Sequence, residues 1–200
     1  MKETNINILI VGVGGQGVLL ASEIISYVAM QFGLDVKKSE VHGMSQRGGI
    51  VSSHIKIAPK VYSPTIQNGK VDILMSFEQS EALRVIELVK KDGTAIIAKT
   101  ELIPAIVTSS KEFEYPHNSA EKVKEKIANV IDVDAEKIAM ELGNPRLVNT
   151  ILLGILSNFV PFPEKLWIDV LKSKVKEKFV DINIAAFNKG REIKLNTVEV

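Results

Sequence analysis

Two clusters of glycine and polar residues hold the side chains and backbone that could do chemistry in this chain. The first is Gly12-Val13-Gly14-Gly15-Gln16-Gly17, a G-x-G-x-x-G spacing. Glycines permit a tight turn and positive φ, and they let a phosphate approach the backbone. If a helix follows, its N-terminus adds free N–H groups and the positive end of a dipole. The same turn without a ligand is a tight strand–helix connection, and both readings stand at this point. The second cluster is Glu40-Val41-His42-Gly43-Met44-Ser45-Gln46-Arg47-Gly48-Gly49. A guanidinium next to glycine amides suits phosphate or carboxylate recognition. Against that, Arg47 can pair internally with Glu40 while the glycines only turn the chain. His42 fits an orienting hydrogen bond better than catalysis. The candidate binding set is therefore Gly12, Gly14, Gly15, Gln16, Gly17, Glu40, His42, Gly43, Ser45, Arg47, Gly48 and Gly49, with no residue read as catalytic.

A dinucleotide site would also need an acid ending the second strand, about 20 residues past the glycines. Asp35 and Glu40 bracket that position. Asp35 starts the expected strand rather than ending it, and Glu40 leads into the second cluster. An NAD(P)-dependent oxidoreductase is thus an alternative and not the favoured reading. The chain has no Tyr-x-x-x-Lys or His-Asp pair to support it.

Composition removes other classes. The 200 residues contain no cysteine, so no disulfide, thiolate nucleophile or cysteine-ligated iron–sulfur cluster resides here. The three histidines, His42, His54 and His117, lack metal-binding spacing, and no metal site is expected. A net charge of +1 gives no footprint for nucleic acid or an acidic membrane. The apolar run at residues 6–13 reads as a buried strand entering a turn, not a signal peptide. Residues 147–160 are too short and too polar to span a bilayer. A cytoplasmic location is expected.

The elements that must position both clusters follow from periodicity. Residues 6–11 form a continuous apolar run, expected for a central parallel strand. A helix over 18–32 ends at Gly33. Strands are expected at 34–38, 50–57, 71–77 and 94–98, with residues 40–49 as a loop. A helix is expected over 78–91, its stripe Ala82, Val85, Ile86 and Val89, stopped by Gly93. Asn118 and Glu121 fit an N-cap and capping box, opening a helix with Val123, Ile127 and Val130 on one face. Asp134 fits a second cap, for a helix through Leu142. Gly143-Asn144-Pro145 reads as stop, N-cap and first helical position. The helix that follows, to about Val160, is apolar nearly all round. Leu166, Trp167, Val170, Leu171 and Val175 face the next one. The fold class is α/β: a Rossmann-like, doubly wound, mostly parallel sheet with a helical C-terminal part. The whole chain reads as one domain, with a sheet-forming part over about 1–115 and a helical part over about 116–192.

Taken in order, Gly12-x-Gly14-Gly15-Gln16-Gly17 and Ser39-Glu40-Val41-His42-Gly43-Met44-Ser45-Gln46-Arg47-Gly48-Gly49 resemble the gamma-type domain of 2-oxoacid:ferredoxin oxidoreductases. The stretch before Arg47-Gly48-Gly49 resembles the small (beta) subunit of the indolepyruvate type in particular. Ala82-Leu83-Arg84, Glu141-Leu142-Gly143-Asn144 and the stretch 149–154 extend the resemblance to roughly Gly190. The resemblance implies thiamine-dependent oxidative decarboxylation of arylpyruvates to arylacetyl-CoA, with electrons passed to ferredoxin. It implies a large alpha subunit carrying thiamine diphosphate, magnesium and [4Fe-4S] clusters, and a small subunit inactive alone. It implies no firmly bound cofactor on this chain, but contact with coenzyme A through Gly14, Gly15, Gln16, Gly17 and Arg47. The alternatives within and outside the family are a gamma subunit acting on pyruvate or 2-oxoglutarate, the NAD(P) oxidoreductase, and a non-enzymatic nucleotide-binding module.

Overall fold

The computed structural model describes residues 4–43, 49–104, 107 and 114–195. Six strands form one sheet: β1 (Ile6–Val13), β2 (Asp35–His42), β3 (Ile50–Ala58), β4 (Val71–Ser76), β5 (Val89–Ala98) and β6 (Asn129–Val133), in the order β2-β3-β1-β4-β5-β6. β1, β4, β5 and β6 are parallel neighbours. β3 runs antiparallel to both β1 and β2, so five strands share a direction and β3 alone opposes them. The helices are α1 (Val18–Gln31), α2 (Gln79–Arg84), α3 (Ser119–Lys124), α4 (Ala135–Glu141), α5 (Val148–Leu156), α6 (Glu164–Lys174) and α7 (Val180–Glu192).

β1 is apolar and fully buried from Ile8 to Val11 because the sheet is covered on both sides there. Ile8 and Ile10 point to one face, where α1 and α4 to α7 pack with Ile55, Ile57, Met75, Ile96 and Trp167. Leu9 and Val11 point to the other, where Ala82, Val85, Ala120 and Val123 of the α2 and α3 region cover Leu74, Ala95 and Ile97. α1 follows β1 toward the β2 side, and α2 follows β4 toward the β5 side. The carboxyl ends of β1 and β4 thus flank a topological switch point, where open α/β sheets bind ligands.

Past β6 the expected stops and caps hold. Asp134 accepts from the Lys137 N–H at 3.0 Å. Gly143 has φ +86°, and Asn144 accepts from the Arg146 N–H at 3.0 Å, with Pro145 opening a 3₁₀ turn into α5. The buried face of α6 is Trp167, Val170 and Leu171, and Val175 lies just past its end.

Elsewhere the local patterns mislead. The helix expected over 78–91 stops at Arg84. A 3₁₀ turn, Ile86–Leu88, then feeds β5, which starts at Val89. Val71 pairs with Val89 in the parallel ladder, so the last residue of the apparent helical stripe serves the sheet. Gly93 lies inside β5 rather than ending a helix. A Cβ there would meet the Lys90 carbonyl at 2.9 Å and the Asp72 carbonyl at 3.1 Å, beside the register shift between β4 and β5.

The capping box at Asn118 does not form. Asn118 is left-handed (φ 59°) with no side-chain cap bond, and Glu121 instead meets Lys124 at 2.8 Å. Val130 is not on that helix but in β6, paired with Ala95. The sheet therefore takes its sixth strand from the stretch read as helical, past residue 115. β2 also runs on to His42, so the first residues of the expected loop 40–49 are strand.

Candidate functional site

β1 delivers the first glycine cluster to the switch point. A Cβ on Gly12 would stand 2.9 Å from the Phe77 Cβ and 2.8 Å from Gln16 Oε1. Gly17 has φ +91° and ends the turn directly before α1, and Gly15 has φ +97°. The Gln16 side chain braces this turn. Its Oε1 accepts from the Val13 N–H at 2.7 Å, and its Nε2 donates to the Phe77 carbonyl at 3.0 Å. Both halves of that amide are thus committed inside the protein. α1 carries no side-chain cap and no acid in its first turn. Its first hydrogen bond beyond the turn is Ala21 N–H to Gly17 O at 3.0 Å, leaving the amides of Val18, Leu19 and Leu20 without helical partners.

The β2–β3 hairpin brings the second cluster to the same end of the sheet. Gly14 N–H donates to the Gly49 carbonyl at 2.9 Å, so the two glycine clusters touch. Gly43 N–H closes the hairpin onto the Ile50 carbonyl at 2.7 Å. Ser45, Arg47 and Gly48, among residues 44–48, lie outside the described residues. Glu40 meets Lys38 Nζ at 2.8 Å and Ser22 Oγ at 3.3 Å. Hydrogen bonding from Lys38 outweighs partial burial and holds the Glu40 carboxyl below its ordinary range. His42 is half exposed, with Nε2 3.9 Å from Glu40. Asp35 sits at the start of β2 and accepts from the Val61 N–H at 2.9 Å, which holds its carboxyl low. Neither acid is placed as a free ribose acceptor at the end of β2.

Sequence reasoning missed the residues on the opposite wall. A cleft of about 520 Å³ is lined by Gly15, Gln16 and Gly17 and, across from them, by Thr100, Glu136, Arg146 and Asn149. Thr100 follows β5 and donates to Glu136 Oε1 at 2.8 Å. Asn149 lies in the first turn of α5, is only 7% exposed, and reaches 3.1 Å from where a Gly17 Cβ would stand. Asn149 stands in an otherwise apolar run, whose pattern signals packing and not a polar contact. Glu78, the N-cap of α2, is buried. It accepts from the Glu81 N–H (2.9 Å), Ser80 Oγ (2.6 Å) and the Tyr115 hydroxyl. Burial and the Glu78 carboxylate push the Tyr115 hydroxyl well above its ordinary range. No group of three or more His, Asp or Glu among the described residues is arranged to hold a metal ion. No helix among them is long and apolar enough to cross a membrane.

Residues 7–193 match the family described as "Pyruvate ferredoxin/flavodoxin oxidoreductase". Over 195 residues the chain is 38% identical to indolepyruvate oxidoreductase subunit IorB of Thermococcus kodakarensis, covering 95% of each chain. Its fold is similar to the keto/oxoacid ferredoxin oxidoreductase gamma subunit of Geobacter sulfurreducens (TM-score 0.69, 22% identity, 94% of this chain and 96% of that one). It is also similar to part of the 2-oxoglutarate:ferredoxin oxidoreductase of Magnetococcus marinus, solved with 2-oxoglutarate, coenzyme A and succinyl-CoA (TM-score 0.74, 20% identity). There the likeness covers 96% of this chain and 31% of that one. The six-stranded sheet, the two touching glycine clusters and a match over nearly the whole length together make this chain a member of the 2-oxoacid:ferredoxin oxidoreductase family, of the gamma-subunit type.

Proposed function

We propose that this chain is the small subunit of an indolepyruvate-type oxidoreductase, which converts arylpyruvates to arylacetyl-CoA and CO2 while reducing ferredoxin. Its partner is a large subunit holding thiamine diphosphate, magnesium and iron–sulfur clusters. The observation that carries the reading is the 38% identity to an indolepyruvate oxidoreductase subunit over 95% of both chains. The chain itself has no cysteine to ligate a cluster. When bound on the partner, thiamine supplies the carbanion-stabilising chemistry.

This chain's own part is to receive the acyl acceptor, coenzyme A, at the switch point. Gly15 and Gly17 open the turn to the α1 amides, Gly14 and Gln16 hold it in shape, and Arg47 of the second cluster adds a guanidinium. The orphan amides at the start of α1 suit the phosphates of such a ligand. The test is substrate preference in the native complex. Coenzyme A-dependent viologen reduction is expected to be fastest with indolepyruvate or phenylpyruvate. A preference for pyruvate or 2-oxoglutarate would transfer the chain to another branch of the family. NADH binding to the chain alone would favour the dinucleotide reading.

A further inference from the structure

The end of the sheet away from both glycine clusters carries a second cleft, of about 610 Å³. The strand order creates it. β3 and β4 flank β1, so the chain leaving β3 must pass the amino end of β1 before it can start β4. It passes on the α2–α3 face, where Ile66 packs with Leu9, Val71 and Leu74. Between this crossover and the strand ends the cleft collects Lys56 from the end of β3, Lys70 just before β4, and Lys90 of β5. Its size suits a small molecule. Among the described residues that line it, the one carboxylate is Asp72. That carboxylate is already engaged, accepting from the Asn7 N–H at 2.7 Å and pairing with Lys90. Lys56 Nζ makes one long bond, to the Thr65 carbonyl at 3.4 Å. Neither Lys56 nor Lys70 forms an ion pair among the described residues, so two ammonium groups of the lining lack a counter-charge.

The same cleft holds an unsatisfied acceptor. Asn7 Nδ2 donates to the Lys70 carbonyl at 2.8 Å. A carbonyl can only accept, so this bond fixes which way the amide lies. Oδ1 is turned the other way, and it is buried with no hydrogen-bond partner. A buried acceptor without a donor is costly. Asn7 also links the two cations, since Lys56 stands opposite it in the β1–β3 ladder and Lys70 holds its amide. The adjoining cleft does not extend the unpaired charge, because Lys126 there is paired with Glu87. A long polyanion would find no further row of free cations.

We infer that this cleft binds a small organic dianion that also carries a hydroxyl. Lys56 and Lys70 take up its charge, and its hydroxyl donates to Asn7 Oδ1. Hydroxy-dicarboxylates and phosphate monoesters of polyols share this chemistry. The site lies at the opposite end of the sheet from the glycine clusters and does not rest on the reaction assigned above. A ligand there joins β1, β3 and the start of β4, and so stabilises the folded chain.

The test is titration of the full, isotope-labelled chain with glycerol 3-phosphate and with malate, beside inorganic phosphate and glycerol, followed by nuclear magnetic resonance. Saturable binding of at least one of the first two is expected, with shifts at the Asn7 side-chain amide and the Lys70 backbone amide. Inorganic phosphate should bind more weakly and glycerol not at all. The tighter of the two probes identifies a phosphate or a carboxylate source. Lys56→Gln and Lys70→Gln should each weaken that binding about 10-fold or more, and leave the melting temperature of the free chain unchanged. No saturable binding of either probe would overturn the site. Wild-type affinity in both variants would also overturn it, and would place the binding elsewhere on the chain. Inorganic phosphate binding as tightly as glycerol 3-phosphate would overturn the hydroxyl contact with Asn7.

Discussion

Tyr115 donates its hydroxyl hydrogen to Glu78, which also accepts from the first turn of α2. Replacing Tyr115 by Phe leaves this buried carboxylate one donor short. The expected cost is about 1–3 kcal/mol at neutral pH, read as a lower urea midpoint. Because the fold raises the tyrosine pKa, its contribution is fully present below the unfolded value of about 10 and is lost as pH rises through the folded value. The gap between wild type and Tyr115→Phe should therefore close above about pH 10, and a gap that widens there would contradict the assignment. At this scale the sequence is half legible. Gly12, Gly15 and Gly17 announce a turn by their type alone. Asn149, Glu136 and Thr100 do not, because each gains meaning only from a neighbour far along the chain that the fold brings alongside. The spacing that suggested Gln16 as a ligand contact says nothing of its bond to Phe77, 61 residues on.

α5 and α7 cross so closely that each contributes a glycine at the contact. A Cβ on Gly154 would stand 2.1 Å from the Phe187 carbonyl, and one on Gly190 would stand 2.1 Å from the Ile151 carbonyl. Backbone cannot swing aside as a side chain can, so either substitution by Ala must part the helices. We expect about 1–3 kcal/mol of destabilisation from each, or roughly 2–12 °C in melting temperature by calorimetry. A shift under 1 °C would mean the crossing is looser than described. The crossing matters to the site because Asn149 lies in the first turn of α5. Elements with an unambiguous period were readable in advance: β1, α1, α5 and α6 appear where the pattern put them. β6 was not, because Val123, Ile127 and Val130 fit a helical face at i, i+4 and i+7. Only the vacancy beside β5 selects strand for Asn129–Val133. The extension of β2 to His42 was hidden for a similar reason. Lys38, Glu40 and His42 are polar, and their strand is fixed by the ladder with β3 and not by burial.

On the scale of the whole molecule, one sheet gathers both glycine clusters at a single end, while a large helical layer covers one face. The Gly14–Gly49 hydrogen bond joins segments that would be weak signals apart. The sequence has no cysteine to ligate an iron–sulfur cluster, and the proposed function therefore assigns electron transfer to a partner. The most direct measurement is to isolate this chain, tagged, from its native cells and assay the eluate for viologen reduction by indolepyruvate with coenzyme A. We predict an iron-containing larger partner in the eluate, activity that depends on coenzyme A, and none from either subunit after separation until the two are recombined. A colourless protein of 22.0 kDa recovered alone, with no activity restored by the large subunit, would contradict the account.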